Sequence, residues 1–174
     1  MTVDIEQMVN RQAKDSELRK ALADLLPELR AFARFLTGSR TEADDLVQEA
    51  LMRTLQSLDG RTDDIDLRPW CLAVIRNIFH ENIRSRKREA VRLQENPAPD
   101  FAPAAQEAPG NMRDLARALE ALSPLLREAL VLVGAQGLSY EQASAVCGVP
   151  VGTVKARVSR ARRQLARALD RVMG

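Results

Sequence analysis

Aromatic residues make up only 3% of this 174-residue chain, although 45% of its residues are hydrophobic. Segments in which Val, Ile, Thr and Tyr alternate with polar residues, as they do in half-buried strands, are also missing. Leu, Ala, Arg and Glu dominate instead, and these residues favour helices. We therefore predict an all-α fold, in a chain long enough for one ordinary domain or two small ones.

The residue types that carry most enzyme chemistry are scarce as well. The chain has one histidine, two cysteines and no glycine-rich phosphate-binding loop. Acid–base, nucleophilic and nucleotide chemistry therefore have few candidate groups, so an enzyme is the least favoured class. Cys71 and Cys147 lie in separate apolar stretches without disulfide or metal-ligand spacing, and we expect buried free thiols, no metal and no cofactor.

A long hydrophobic run is also lacking. No stretch approaches the length of a membrane span, and the amino terminus has no basic segment followed by an apolar one. We expect a cytoplasmic protein without a membrane partner.

Neither sign of charge is in large excess, since 26 basic and 24 acidic residues leave a net charge of +2. The charges are nevertheless segregated along the chain. Acids gather between Glu42 and Glu49, and bases gather between Arg84 and Arg92 and again between Lys155 and Arg171. This pattern predicts different partners for different segments.

A proline-rich segment divides the chain. Residues 94–109 read QENPAPDFAPAAQEAP, and four prolines with little periodic apolar content favour neither helix nor strand. We predict a linker over residues 93–110, between a helical domain that ends near Arg92 and another that begins near Asn111. Because the linker offers few apolar residues for a fixed interface, we expect the two domains to move independently and to be held together by a partner in the inhibited state.

Helical periodicity predicts three helices in the first domain. The first carries leucines and phenylalanines at helical spacing and ends at Gly38, with Pro27 marking a break or a new start. The second is capped by Thr41 and has acids at its positive amino end. The third starts near Pro69 and runs into the first basic cluster.

The second domain has stronger helix signals. Ser123 followed by Pro124 marks one helix start. Ser139 with Gln142 three residues later is a capping box, and Gly148 can end that short helix in a left-handed conformation. A long basic helix follows. A short helix, a glycine-containing turn and a longer basic helix predict a helix-turn-helix, whose second helix enters the DNA major groove.

Helical-wheel geometry divides this last helix into two faces. An apolar stripe must face the core, formed by Val154, Val158, Ala161, Leu165 and Leu169. The residues outside this stripe are candidate DNA contacts: Lys155, Ala156, Arg157, Ser159, Arg160, Arg162 and Arg163. Arg160 can make two hydrogen bonds to guanine, Ser159 can bond to several bases, and the flanking bases suit phosphates. The alternative is a basic face exposed only to solvent.

The second domain resembles region 4 of extracytoplasmic-function sigma factors, the small bacterial transcription initiation factors, over ALVLVGAQGLSYEQASAVCGVPVGTVKARVSRARRQL from Ala129 to Leu165. The first domain resembles region 2 of that family in LRAFARFLTG, ADDLVQEALMRTLQ and RPWCLAVIRNIFHENIRSRKR. LVGAQGLSYEQAS and VGTVKARVSRAR are similar to the general stress response sigma factors of alphaproteobacteria. The resemblance implies an amino-terminal extension over residues 1–15, region 2 over 16–92 and region 4 over 111–174.

The resemblance also implies partners and a function. It implies an alternative sigma factor that binds core RNA polymerase and promoter DNA, and that directs promoter-specific transcription initiation in a stress response. In the stress-response group, a small helical anti-sigma protein sequesters the sigma factor. The chemistry of RNA synthesis would belong to the polymerase, so this chain is not expected to be an enzyme.

In this family, the second helix of region 2 grips the clamp of the polymerase. The face opposite Val47, Leu51 and Leu58 is acidic and amide-bearing, which suits basic residues on a partner. Its candidate polymerase contacts are Asp45, Gln48, Glu49, Met52 and Gln56. Asp44 lies nearer the core side, where we expect it to cap the helix. A surface exposed only to solvent is the alternative.

The third helix resembles the segment that meets the melted minus-ten element. Its candidate DNA contacts share a polar face: Arg76, Asn77, His80, Arg84 and Lys87. Arg and Lys neutralise phosphates, whereas Asn77 and His80 can bond to the exposed base edges of a single strand. We expect Trp70 to pack in the core rather than stack on a base. The acidic loop between Leu58 and Asp66 matches the family loop that captures a flipped base, without indicating which residues form the pocket.

Two other functions remain open. A sigma-like decoy would bind an anti-sigma protein without touching DNA, but such decoys normally carry a receiver domain, and the basic recognition face argues against this reading. A conventional helix-turn-helix regulator would bind palindromic half-sites as a dimer. That function would leave the acidic second helix unexplained.

Overall fold

The structure, a computed structural model, describes residues 2–58, 65–93 and 110–173. Its elements in chain order are α1 (Thr2–Thr37), α2 (Arg40–Ser57), α3 (Leu67–Leu93), α4 (Gly110–Glu120), α5 (Pro124–Leu130), a π-helical turn (Val131–Ala135), α6 (Tyr140–Cys147) and α7 (Val151–Met173). These described ranges contain no strand, and the all-α prediction is confirmed. None of the helices in them has an apolar stretch long enough to cross a bilayer.

The first three helices pack against one another as one unit. The α1 residues Leu29, Phe32 and Leu36 are buried at the spacing of a single helical face. They meet fully buried side chains of α3, including Leu72 and Ile75. This core holds α2 and α3 in place and leaves their polar faces outside.

Pro27 does not break α1, contrary to the prediction. A proline inside a helix removes one backbone hydrogen bond and crowds the preceding turn, at a cost of about 3 kcal/mol or more. Pro27 itself is exposed, whereas Leu22 before it and Leu29 after it are buried in the same core. Burial on both sides therefore holds the helix through the proline, a tertiary effect that local propensity does not contain.

The cap of α2 also differs from the prediction, because Ser39 and not Thr41 is the N-cap residue. The Ser39 hydroxyl accepts a hydrogen bond from the Glu42 amide at 3.4 Å. Thr41 is an exposed residue inside the helix. Asp44 forms an ion pair with Arg30 of α1 at 3.5 Å, so its predicted capping role is wrong. Asp44 instead links two helices.

The remaining helices form a second unit, in which α7 contacts α4, α5 and α6. Ser123 is the N-cap residue of α5 and Pro124 is at its first position, as predicted. The π-helical turn continues directly from α5. Of the two glycines predicted to end this segment, Gly137 has a left-handed backbone with φ 65°, a conformation that favours glycine.

The predicted helix-turn-helix is confirmed as α6, a turn and α7. The Ser139 hydroxyl accepts a hydrogen bond from the Gln142 amide at 3.0 Å, and the Gln142 side chain accepts one from the Ser139 amide at 2.9 Å. These two bonds make the capping box. Gly148 ends α6 with φ 65°, so the chain reverses there and starts α7 at Val151.

The two units pack against each other through α3 and α6. Their buried residues form one continuous core. Arg68 on α3 donates a hydrogen bond to the Gln136 carbonyl, and the Gln142 side chain donates one to the Asp66 carboxylate at 2.9 Å. The two units are therefore in contact in this structure, and their independent motion in solution stays a prediction. The proline-rich segment, residues 94–109, lies outside the described residues.

Candidate functional site

The predicted recognition helix α7 has the two faces that the wheel indicates. Val154, Val158 and Ala161 are buried, while Leu165 and Leu169 are half-buried. Arg157 is half-buried, and six of the candidate DNA contacts are exposed: Lys155, Ala156, Ser159, Arg160, Arg162 and Arg163. We call these seven residues the α7 basic face. The geometry required for groove binding is present, because the stripe that anchors the helix lies away from them.

A groove between α5 and α7 adjoins the α7 basic face. Arg160 and Arg157 line it together with Thr153 and Gln164. Thr153 and Gln164 are uncharged, so the charge pattern of α7 does not indicate them. Lys155 lies over the ring of Tyr140, with its ammonium nitrogen 5.5 Å from the ring centroid. This cation–π contact holds the lysine near the start of α6.

The polar face of α2 is likewise directed away from the core. Ala43, Leu46 and Val47 are buried on the opposite side. Glu49 is half-buried and the other candidate polymerase contacts are exposed: Asp45, Gln48, Met52 and Gln56. We call these five residues the α2 polar face. Met52 is 58% exposed, which adds an apolar contact to a surface otherwise made of acids and amides.

Glu49 takes part in an ion-pair network on this surface. Arg53 lies 2.7 Å from the Glu49 carboxylate and 2.9 Å from the Glu81 carboxylate on α3. The hydrogen bond to Glu81, with a smaller contribution from Glu49, raises the pKa of Arg53 above its ordinary value. The network joins α2 to α3. The spacing of charges within one helix does not predict such an ion pair between two helices.

The candidate minus-ten contacts on α3 divide into two groups. Asn77, Arg84 and Lys87 are exposed. Arg76 and His80, in contrast, face α5 of the second unit. The Arg76 guanidinium lies 2.7 Å from the Glu128 carboxylate, and the His80 ring nitrogen lies 3.3 Å from the same oxygen. Two of the five candidates are therefore engaged by the other unit.

Glu128 is an acid inside the interface and is only 4% exposed. Burial alone would raise the pKa of Glu128, but the hydrogen bond with His80 and the charge and hydrogen bond of Arg76 outweigh it and hold the pKa below its ordinary value. The carboxylate is thus charged at neutral pH. Its second oxygen, Oε2, has no hydrogen-bond partner within the part of the chain that the structure describes. A lone acid in the apolar run LLREALVLV was the sequence signal that could have identified it.

An open groove of about 460 Å³ lies beside this contact, between α3 and α5. Apolar side chains line much of it, among them Phe79, Ile83 and Leu125. Arg84 and Lys87 contribute basic groups to the same groove. The α3 polar face is consequently covered near Arg76 and accessible toward its carboxy-terminal end.

Trp70 does not pack in the core as predicted. It is 39% exposed in the first turn of α3, whereas the next two residues, Cys71 and Leu72, take the buried positions. The residue type of Trp70 predicted a place in the core, but its angular position around α3 directs the side chain toward solvent. The loop predicted to capture a base includes residues 59–64, which lie outside the described residues.

Both cysteines are free and buried, as predicted. Burial raises the pKa of the Cys71 thiol. Burial, with a contribution from the charge of Glu128, raises the pKa of Cys147 to about 11. Among the residues that the structure describes, no cluster of three or more His, Cys, Asp or Glu side chains is placed to hold a metal ion.

Comparison with known proteins identifies the family. The family models for Sigma-70 region 2 and Sigma-70, region 4 match residues 22–89 and 112–165. EcfG of Rhodopseudomonas palustris, an ECF RNA polymerase sigma factor, is 41% identical over 157 residues, which are 87% of this chain and 84% of that protein. The chain belongs to the extracytoplasmic-function sigma factors.

Other relatives support the assignment of the chain to this family. SigE of Mycolicibacterium smegmatis, another ECF RNA polymerase sigma factor, is 34% identical over 138 residues, which are 75% of this chain and 52% of that protein. A chain in the co-crystal structure of the sigma factor RpoE with the anti-sigma factor NepR from Bartonella quintana matches with a TM-score of 0.75 and 38% identity. It covers 88% of this chain and 97% of that one.

The resemblance read from the sequence motifs is confirmed by these matches. The protein is an alternative sigma factor, and it directs promoter-specific transcription initiation by RNA polymerase. Sigma factors are transcription regulators, which agrees with the small number of groups available for enzyme chemistry.

Proposed function

We propose that the sigma factor divides its contacts among three surfaces. The α2 polar face binds the polymerase clamp, the exposed part of the α3 polar face meets the melted minus-ten strand, and the α7 basic face reads the minus-35 element. In this proposal the region 2 domain spans residues 16–92, the linker 93–110 and the region 4 domain 111–174. The sigma factor acts in the cytoplasm and leaves RNA synthesis to the polymerase.

The α7 basic face is the observation that carries this proposal. It is presented by a helix-turn-helix whose first helix is held by a capping box and whose second helix is anchored by Val154, Val158 and Ala161. A rigid support of this kind positions side chains for base reading, while exposed arginines supply attraction to phosphates. A decoy that never binds DNA has no use for such a surface.

A small helical anti-sigma protein is the proposed regulatory partner. The RpoE chain from Bartonella quintana, 38% identical to this one, was solved in complex with the anti-sigma factor NepR. The open groove between α3 and α5, which combines apolar side chains with basic groups, could receive part of an amphipathic helix.

The direct test of the main function is copurification with core polymerase followed by transcription from a mapped promoter.

Polymerase docking is tested by charge reversal on the α2 polar face. Asp45→Lys combined with Glu49→Lys should weaken binding to core polymerase by roughly tenfold or more, because basic clamp residues would then meet lysines. The full-length chain should stay folded, since Asp45 is exposed and the pair between Glu49 and Arg53 is a surface contact of small energy.

The matched control reverses two exposed acids on α1, Glu17→Lys with Asp24→Lys. This control changes the net charge equally but leaves the α2 polar face intact. Affinity is measured by pull-down or fluorescence anisotropy, and helical content by circular dichroism. Equal polymerase affinity of both double variants would show that docking uses another surface.

A further inference from the structure

We propose that Glu128 is an autoinhibitory latch: from α5 it occupies Arg76 and His80, and thereby keeps this part of the α3 face from DNA while the two units are packed together. The inference rests on the proposed minus-ten role of α3. It assigns to the region 4 unit a second task, which is to block region 2 in the free sigma factor.

The contact geometry supports direct competition between Glu128 and DNA. Side chains of Arg76 and Glu128 are 15% and 5% exposed, and the atoms that join them lie 2.7 Å apart. An arginine that holds a carboxylate in this way presents the same N–H donors that a DNA phosphate would take. His80, 33% exposed, contacts the same carboxylate oxygen at 3.3 Å. The Arg76 guanidinium becomes fully accessible to a single strand only after α5 has moved.

The latch is built to open rather than to hold permanently. Only one oxygen of the Glu128 carboxylate contacts Arg76 and His80, and the other is buried without a hydrogen-bond partner in the described part of the chain. Removing a charge from water is costly unless all of its hydrogen-bonding positions are satisfied. Separation of the units would hydrate both oxygens, which lowers the free-energy difference between closed and open forms.

Packing next to the latch is also incomplete. The groove beside it leaves Leu125 46% exposed. Two further contacts between the units, from Arg68 to Gln136 and from Gln142 to Asp66, are polar and lie at exposed or partly buried positions. Partly exposed polar contacts of this kind contribute little net stability. The apolar core shared by α3 and α6 holds the units together, so a partner that binds only the open form, such as polymerase, supplies the free energy that shifts the equilibrium.

The test compares Glu128→Gln with Glu141→Gln in the full-length chain. Both variants remove one acid, but Glu141 is exposed on α6. Small-angle scattering reports the radius of gyration, and fluorescence anisotropy reports binding of a short single-stranded DNA of random sequence. Glu128→Gln should enlarge the particle and tighten DNA binding by roughly tenfold or more, because the closed form then leaves Arg76 without its buried counter-charge. Glu141→Gln should match the wild type in both measurements.

A second variant tests the latch from the other side. Arg76→Gln removes the same ion pair and should also enlarge the particle, although it deletes a proposed DNA contact. Circular dichroism verifies that each variant keeps its helices, and Arg76→Gln remains informative if Glu128→Gln does not fold.

The outcomes separate the latch from the proposed function. Particles of wild-type size for both variants would overturn the latch, and so would an enlarged Glu128→Gln particle whose DNA affinity is unchanged. The minus-ten role is tested independently by transcription with Asn77→Ala and Lys87→Ala, two changes at exposed residues other than Arg76 and His80, which Glu128 contacts. Loss of transcription there, together with a compact Glu128→Gln, would retain the function and reject the latch.

Discussion

Arg160 and two neighbouring arginines carry the same charge but stand at different angles around α7. Arg160 and Arg162 are exposed, and Arg157 is half-buried beside the anchored side. On the outward stripe, Arg160 can reach two acceptors of one guanine. Arg160→Ala should therefore cost about 1 to 3 kcal/mol in DNA binding and relax the preference at one base pair of the minus-35 element.

The flanking arginines provide the internal control for this prediction. Arg157→Ala or Arg162→Ala should weaken binding to every sequence, and should lower the slope of the salt dependence by roughly one unit for each lost phosphate contact. Binding is measured over a panel of single-base substitutions at several salt concentrations. Identical specificity profiles for the three variants would show that Arg160 does not read a base.

Individual residues show what the sequence can predict at this scale. The outward positions of α7 follow from the repeat of the helix, so their exposure was predictable from Val154 and Val158 alone. The partner of Arg76 was not, because Glu128 is 52 positions away and belongs to a different unit. An ion pair between residues so far apart in sequence depends on tertiary packing, which cannot be predicted from a single sequence.

The helix caps lead to a prediction about α6. Ser139→Ala removes the hydroxyl that accepts a 3.0 Å hydrogen bond from the Gln142 amide, and should lower the free energy of unfolding by about 1 kcal/mol. Ser123→Ala is the matched control, because Ser123 is also an N-cap residue but forms no side-chain cap hydrogen bond. Its effect should be smaller, about a few tenths of a kcal/mol.

Chemical denaturation of the full-length variants measures both free energies. Equal losses for Ser139→Ala and Ser123→Ala would mean that the α6 cap does not depend on the serine hydroxyl. Because α6 supports the recognition helix, Ser139→Ala should also weaken DNA binding in proportion to the loss of folded protein, without changing base preference.

Helices were predicted well where their signals are local and poorly where packing decides. The capping box and the left-handed Gly148 depend on residues within one turn, and both are present. Continuation of α1 through Pro27 depends on burial of Leu22 and Leu29 against other helices. Ser39 was overlooked as the cap of α2 because Thr41 satisfies the same local rule two residues later.

At the scale of the whole molecule, linker composition does not indicate the contact between the two units. The proline-rich segment indicated independent units, but the interface is formed by α3 and α6 and not by the linker. Beside the apolar contact of α3 and α6 lies a buried charge, Glu128 of α5, which is faced by Arg76 and His80 from α3 and is near Cys147 on α6. The stability of the closed arrangement should accordingly depend in part on the ionisation of this carboxylate.

Acid should open the two units. Because the pKa of Glu128 is lowered in the closed form, its stabilising effect is complete above the ordinary pKa of glutamate. It is lost as the pH falls below that value and through the lowered one. Arg76 stays charged in this range, so protonation of Glu128 leaves a buried guanidinium without its counter-charge. The radius of gyration of the wild type should increase in this acidic window.

Glu128→Gln supplies the reference for this pH dependence. Other carboxylates titrate over the same range, but they do so in both proteins, so the difference between the two titrations isolates Glu128. The variant should be expanded already at neutral pH and change less on acidification. Parallel radius curves for wild type and variant would refute the linkage.

The burial of Cys71 and Cys147 affects how readily an oxidant can modify this sigma factor. Peroxides attack the thiolate form of cysteine, which a raised pKa makes rare at neutral pH. The pKa values of both thiols are raised in this way, and both side chains are buried. They are the only cysteines in the sequence. An oxidant would thus leave both cysteine thiols of this chain largely unmodified, and any response of this sigma factor to oxidation would have to use a route other than its cysteines.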